Sequence, residues 1–224
     1  MIFGEEVPVR PLAPVVVLSF LLAACASTPK IDMKEPRRLV ATDNDVRLDV
    51  QVRGDTLAPS TDVPMEYAIT NNRDTPIAIA ELIPDSTYDA DTQTVTITIG
   101  SEVPGQQYLP RLILIKPGEH KTFSQAARVA VPITELVNQN PFHRYPHSLR
   151  IRLNFLGDAK PFEKLIGISE RAVHDPALAA ELFPKWVEQN ESVITNVLPM
   201  HWIGTPATND DGVPIGPVRT RKRP

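Results

Sequence analysis

Cysteine is almost absent from this sequence, whose 224 residues include only Cys25. The one thiol therefore has no disulfide partner within the chain. Strong charge of one sign is also missing, because 23 lysines and arginines against 27 aspartates and glutamates give a formal net charge of −4. So mild a balance argues against a nucleic-acid partner, since nucleic-acid-binding proteins carry a strongly basic face.

Long apolar runs are equally scarce. The apolar run Leu12 to Ala24 (LAPVVVLSFLLAA) is too short for a membrane-spanning helix, which needs about 20 apolar residues. Its length suits the apolar region of a secretory signal, which has roughly 7–15 residues and ends at small residues and a cleavage site. The run therefore predicts export.

The end of this run carries a recognisable motif. Leu22-Ala23-Ala24-Cys25 resembles the lipobox of bacterial lipoproteins, in which an aliphatic and two small residues precede an invariant cysteine. The resemblance implies a signal peptide at residues 1–24 and a Cys25 thiol that carries a diacylglyceryl group as a thioether. It also implies a fatty acid such as palmitate on the freed amine, and two or more acyl chains give stable anchoring. The alternative is a buried free cysteine in a core helix.

Residues near Cys25 also bear on export and destination. Glu5 and Glu6 conflict with the basic start of a signal peptide, and a start codon at Val7 or Val9 would remove both. In double-membraned bacteria, aspartate after the lipidated cysteine commonly retains a lipoprotein in the inner membrane. This chain has Ala26 there, so the resemblance implies an outer-membrane protein that faces the periplasm.

The chain after Cys25 divides into four predicted parts. Residues 25–45 are polar without a clear period and predict a flexible tether. Residues 46–168 alternate apolar and polar side chains in short runs, for example VRLDVQVR, TVTITI and SLRIRLNF, which predict half-buried strands. Residues 169–203 predict a helical extension packed on this domain, and residues 204–224, rich in Pro, Gly and Asp, predict a disordered tail.

The strand pattern predicts a mainly β fold. Seven or eight short strands separated by turn residues favour an immunoglobulin-like antiparallel β-sandwich. The stretches YAITNN and IKPGE resemble those of bacterial immunoglobulin-like and protease-inhibitor-like domains. In the extension, Asp175 before Pro176 predicts a helix start and Pro184 its end, while Trp186 and Trp202 are expected to pack against the sandwich.

Motifs for catalysis and metal binding are lacking. His143 and His147 have the spacing of two helical metal ligands, but Pro146 between them disfavours a helix. Asp85, Asp89 and Asp91 resemble the start of a calcium loop, which would need glycine where Thr94 stands. The chain has no G-x-S-x-G elbow and no phosphate-binding glycine loop. We therefore expect no cofactor, no metal and no catalytic residue.

These features predict a lipid-anchored cell-envelope protein that acts as a non-catalytic binding or accessory module, with another envelope protein as its partner. Two alternatives stay open. One is a periplasmic hydrolase whose site is assembled in space around His143, His147 and Asp175. The other is a protease inhibitor that presents a rigid loop.

Overall fold

Fifteen strands and one α-helix make up most of the chain that the computed structural model describes, namely residues 37–105, 107–131 and 145–203. The strands are β1 (Arg38–Asp43), β2 (Val46–Val52), β3 (Thr56–Leu57), β4 (Ser60–Asn71), β5 (Ile77–Ala80), β6 (Asp85–Asp89), β7 (Thr94–Ile99), β8 (Tyr108–Pro110), β9 (Leu112–Ile115), β10 (His120–Ala130), β11 (Ser148–Leu156), β12 (Ala172–His174), β13 (Asn190–Ile194), β14 (Leu198–Pro199) and β15 (His201–Trp202). A 3₁₀ helix spans Lys160–Leu165, and α1 spans Pro176–Gln189. The protein is mainly β, as predicted. The strands are more numerous than the predicted seven or eight, partly because strands of two or three residues leave no readable period.

The longer strands follow the alternation of the sequence. In β2, every second side chain from Val46 to Val52 is buried, and the residues between them are partly exposed. In β11, Leu149, Ile151 and Leu153 are buried on one face. A strand turns successive side chains to opposite faces, so this pattern fixes which face of each strand meets the core.

The smaller sheet corrects the predicted tether at residues 25–45. Its strand order is β1-β2-β4-β10, all antiparallel, and β1 occupies part of that segment. Asn44 and Asp45 have φ values of 48° and 56°, which make the two-residue turn of a β-hairpin. Leu39 is buried, and Arg38 pairs with Asp49 across the hairpin. The sequence pattern missed β1 because only one of its faces contacts the core, through few apolar residues.

The larger sheet has the order β6-β7-β11-β5-β9 and centres on β11. β11 runs parallel to β7, from Ser148 opposite Thr94 to Leu153 opposite Ile99, and Leu156 then lies opposite Ala78 of β5. The parallel pair departs from the predicted all-antiparallel arrangement. Alternation along a strand is the same for both directions of pairing, so a period of two cannot distinguish them.

One hydrophobic core lies between the two sheets. It combines buried residues of the smaller sheet, such as Leu48 and Ile69, with buried residues of the larger sheet, such as Ile97 and Ile151. β10 lies beside β6, where the amide of Arg128 donates to the carbonyl of Pro84. The two sheets are thus layers around a shared apolar interior.

The predicted extension at residues 169–203 is only partly helical. β13 pairs with β11 from Asn190 opposite Leu156 to Ile194 opposite Arg152, and β14 pairs with the start of the same strand. β15 runs parallel to β3. The larger sheet therefore continues past the predicted boundary at residue 168, because β13 and β14 both pair with its strand β11. Trp202 stacks on Tyr145 with 5.8 Å between ring centroids and packs against the first core.

Helix α1 forms a third layer and also corrects a prediction. The helix passes through Pro184, which was expected to end it, and continues to Gln189. Proline in a helix interior costs about 3 kcal/mol. Leu182 and Trp186, on either side of Pro184, are buried in a second core against the outer face of the larger sheet. Burial of two large apolar side chains contributes about 1.5–3 kcal/mol each, enough to offset the proline.

Candidate functional site

The outer face of the larger sheet is only half covered by the third layer. Near Leu156 and Ala78 it packs against α1 and the 3₁₀ helix in the second core. On β6, β7 and the first part of β11 it is open, and a cavity of about 400 Å³ lies there. We name this cavity the arginine cleft. Its floor consists of Thr96, Thr98, Arg150, Arg152 and Asn154, and its walls are residues 82, 83, 85–87 and 100–102.

Strand alternation and parallel pairing create the floor. Because Leu149, Ile151 and Leu153 face the core, Arg150, Arg152 and Asn154 face outward, as the sequence predicted. The parallel register places Arg150 opposite Thr96 and Arg152 opposite Thr98. The Nε–H of Arg150 donates to the hydroxyl of Thr96 at 2.9 Å. Neighbouring strands thus bring two guanidinium groups and two hydroxyls onto one surface.

Arg152, on the floor of the cleft, has a buried donor that no described residue satisfies. Its Nε is buried and has no hydrogen-bond partner in the described part of the chain. Other arginines of the protein, among them Arg38, Arg73 and Arg111, pair with carboxylates, whereas neither cleft arginine forms an ion pair with a described residue. Buried donors without partners are rare in folded proteins. A guanidinium presents planar donors that match carboxylate or phosphate oxygens, so the floor is suited to an anion.

The wall at residues 100–102 is held down against the floor. Gly100 has a φ of +77°, and a Cβ there would lie 2.3 Å from the carbonyl oxygen of Asn154. Only glycine permits both this conformation and this close approach. The next carbonyl, of Ser101, accepts a 3.2 Å hydrogen bond from the indole of Trp186. Helix α1 is therefore linked directly to the edge of the cleft.

The opposite wall is apolar and the rim is acidic. Leu82 and Ile83 leave 41% and 71% of their surface exposed, high values for large apolar side chains. Asp85 and Glu102 are exposed on the two walls, and neither forms an ion pair with a described residue. The cleft thus has a cationic floor, an anionic rim and one apolar wall.

The histidine and aspartate predicted as candidate hydrolase residues lie on separate elements. His147 immediately precedes β11, and its backbone amide donates to the carbonyl of Gln93. Asp175 caps α1 by accepting from the amide of Leu178 at 2.9 Å, and that helix packs with Leu156 at the other end of β11. Asp175 is therefore a helix cap. His143 lies outside the described residues, so its place relative to His147 stays a prediction.

The predicted acidic turn between β6 and β7 is closed by its own hydrogen bonds. Asp89 accepts from the hydroxyl of Thr92 at 2.8 Å and from the amide of Asp91 at 2.9 Å. These bonds, with a smaller contribution from the charge of Arg150, hold the pKa of Asp89 below its usual value. Within residues 37–105, 107–131 and 145–203, no group of three or more His, Cys, Asp or Glu residues is placed to hold a metal ion.

Cys25, the predicted signal peptide at residues 1–24 and the predicted tail at residues 204–224 lie outside the described residues. In the part that the structure describes, no helix has the length and apolarity to cross a membrane. Sequence reasoning placed Arg150 and Arg152 on the outer face of a strand but did not identify them as site residues. The available signal was two arginines two positions apart on the outward face of a strand whose inward positions are apolar.

A scan against protein-family models finds no match for this chain, and searches of curated proteins and of solved structures find none either.

Proposed function

We propose that this chain is a lipid-anchored cell-envelope protein whose immunoglobulin-like β-sandwich acts as a non-catalytic binding module. The arginine cleft is its binding surface and accepts an anionic group of the partner. One observation carries the binding part of this proposal: the buried Nε of Arg152 lacks a hydrogen-bond partner among the described residues, in a cleft that Arg150 also lines. A bound carboxylate or phosphate would satisfy that donor once the guanidinium turns it toward the cavity.

Binding rather than catalysis fits the chemistry of the cleft. Its described lining contains guanidinium, hydroxyl, amide and carboxylate groups, but no histidine or cysteine to serve as general base or nucleophile. Arg150 is oriented by Thr96, and the floor belongs to two neighbouring inner strands of the larger sheet. Fixed donors on regular strands are typical of a preorganised recognition surface.

The proposed anchor is the diacylglyceryl thioether of Cys25, after removal of residues 1–24. Residues 26–37 then separate the lipid from β1, which begins at Arg38. With Ala26 after the cysteine, the mature protein belongs at the outer membrane and faces the periplasm. The cleft would be presented there to soluble or membrane-bound envelope molecules.

Two measurements test this proposal. First, acetate and inorganic phosphate are titrated into the isotope-labelled protein and followed by NMR. We expect shifts of the Arg150 and Arg152 amides and side chains, abolished in Arg152→Gln and unchanged in Arg128→Gln, a control at an exposed arginine of β10. The binding part of the proposal fails if neither anion moves these signals.

Second, metabolic labelling with a radioactive fatty acid tests the anchor. The wild-type chain should incorporate the label and fractionate with membranes. Cys25→Ser should remain an unlabelled and uncleaved precursor, because a hydroxyl does not accept the lipid. A Cys25→Ser protein of mature size in the membrane fraction would exclude the lipoprotein assignment.

A further inference from the structure

The arginine cleft contains four charged side chains, two of each sign, and none forms an ion pair with a described residue. Arg150 and Arg152 lie on the floor, and Asp85 and Glu102 lie on the walls. None of the four makes an ion pair of 4 Å or less with another described residue, although ion pairs are frequent elsewhere on this domain, such as Arg73 with Glu191 and Arg53 with Glu66. Opposite charges thus line one cavity but are held apart by it.

This separation has an electrostatic consequence. The four charges cancel, so a simple polyanion gains little net attraction from the cleft as a whole. A ligand with an anionic end and a cationic end meets an opposite charge at each end. Such complementarity gives specificity, because a molecule with only one of the two charges leaves a like charge facing a protein group.

The floor is suited to a carboxylate. Residues two apart on a strand lie about 7 Å apart on the same face, so both guanidinium groups can reach one group bound between them. The Nε of Arg152 is the buried donor without a partner, and the buried side chain of Asn154 lies beside it on the same strand. A guanidinium holds a carboxylate through two parallel hydrogen bonds when Nε and one Nη both donate.

The walls of the cleft match the other parts of a ligand whose carboxylate lies on the floor. Leu82 and Ile83 expose apolar surface into the cleft beside Asp85, which matches an apolar side chain next to a cationic group. The cavity of about 400 Å³ is within the range of small-ligand sites, roughly 300–1,000 Å³. An acidic lipid headgroup or free phosphate would use the floor but would leave the acidic rim opposed to its own charge.

We propose that the arginine cleft binds short peptides with a free amino group, a free carboxylate and an apolar side chain. The carboxylate lies on Arg150 and Arg152, the ammonium group faces Asp85 and Glu102, and the side chain packs on Leu82 and Ile83. This assignment of the ligand rests on the proposed function of the cleft as a binding site for an anionic group.

The test compares three matched ligands on the wild-type protein by isothermal titration calorimetry and NMR: the dipeptide Ala-Leu, its N-acetyl form and its C-terminal amide. We expect Ala-Leu to bind and both modified forms to bind at least tenfold more weakly. Because all three ligands meet the same folded protein, this comparison does not depend on the stability of any variant.

Variants then assign each end of the peptide. Asp85→Asn combined with Glu102→Gln should remove the preference for Ala-Leu over its N-acetyl form, since the rim no longer discriminates the ammonium group. Arg152→Gln should remove the preference for Ala-Leu over its amide, and Arg152→Met, which is also neutral, serves in its place if the glutamine variant unfolds. Glu163→Gln, at an exposed residue of the 3₁₀ helix, should bind all three ligands as the wild type does.

Three outcomes overturn the peptide assignment. Equal affinity for Ala-Leu and N-acetyl-Ala-Leu would leave a plain anion site, so the proposed function would survive without this inference. Tighter binding of inorganic phosphate than of any peptide would likewise leave a plain anion site. If no peptide binds and neither acetate nor phosphate binds, both the peptide assignment and the proposed function of the cleft are wrong.

Discussion

The indole Nε–H of Trp186 donates a 3.2 Å hydrogen bond to the carbonyl of Ser101, joining the buried face of α1 to the wall of the arginine cleft. Trp186 is fully buried and meets Phe162 edge to face, with 5.5 Å between ring centroids. The third layer therefore covers half of the outer sheet face and fixes the border of the half that it leaves open.

Replacing Trp186 with Phe should disturb both stability and the cleft. The phenyl ring retains an aromatic contact with Phe162 but leaves the Ser101 carbonyl without its donor and a gap beside it. We expect a loss of about 2 kcal/mol in the free energy of unfolding in urea. The amide signals of Gly100 to Glu102 should shift in NMR spectra.

Trp202 supplies the matched control. Its indole Nε is buried and has no hydrogen-bond partner among the described residues, so Trp202→Phe breaks no hydrogen bond with any of them. We expect Trp202→Phe to cost less than Trp186→Phe and to leave the signals of residues 100–102 in place. Equal losses in the two variants would show that aromatic volume, and not the Ser101 hydrogen bond, is what matters.

We expect Gly100→Ala to destabilise the folded domain strongly for so small a substitution. The φ of +77° is unfavourable for alanine, and the new Cβ would overlap the Asn154 carbonyl oxygen at 2.3 Å. Gly118→Ala is the comparison, because Gly118 has a φ of +70° but nothing within 4 Å of the added Cβ. We expect Gly118→Ala to lower the free energy of unfolding by about 1 kcal/mol through backbone strain alone, and Gly100→Ala to lower it by at least twice as much.

Thermal unfolding of both alanine variants checks this difference. If the two melting temperatures fall equally, the close approach of Gly100 to β11 does not contribute. A larger fall for Gly100→Ala, with loss of anion binding, would tie the cleft wall to this contact.

The sequence predicted the faces of the strands better than their partners. The alternation in SLRIRLNF predicts that Arg150 and Arg152 face away from the core, and this is confirmed. That β7 lies parallel to β11, with Thr96 beside Arg150, depends on contacts between residues more than 50 positions apart. A period of two carries no information about such pairing, so the arginines could be located while the cleft could not be predicted.

The corrected segments have a similar explanation. β1 and β13 contain few apolar residues because each fills a place in a sheet whose core is largely supplied by other strands. Backbone hydrogen bonds to β2 and β11 keep β1 and β13 in the sheets. Every residue type except proline can make such bonds, so the amino-acid sequence does not reveal them. Pro184 reads locally as a helix end, but the packing of Leu182 and Trp186 overrides that local preference.

Acid should weaken the fold through Glu81. Its carboxylate receives two hydrogen bonds from Arg111, at 2.5 and 2.7 Å, and this pairing holds the pKa of Glu81 below its usual value. A carboxylate with a lowered pKa in the folded state stabilises the fold above the pKa of the unfolded chain, about 4.3. That contribution is lost as the pH falls through the folded-state pKa.

Urea unfolding of wild type and Glu81→Gln across pH 7 to pH 2.5 measures this effect. We expect Glu81→Gln to have the lower urea midpoint at pH 7, and the gap to narrow below about pH 4 as Glu81 of the wild type becomes protonated. Glu163→Gln, at an exposed side chain, should keep the wild-type midpoint at pH 7. A gap between wild type and Glu81→Gln that stays constant down to pH 2.5 would contradict the role of the Arg111 pair.

Membrane destination is tested by the residue after the proposed lipid. In the lipoproteins that this N-terminal segment resembles, aspartate at that position commonly retains the protein in the inner membrane. We expect Ala26→Asp to move the protein from the outer-membrane to the inner-membrane band of a sucrose gradient. Position 26 precedes β1 by twelve residues, so the melting temperature of the domain should not change.

Thr28→Asp adds the same charge outside the sorting position and should stay in the outer-membrane band. Wild-type protein that already bands with the inner membrane would refute the outer-membrane assignment but would leave the proposed lipid on Cys25 standing.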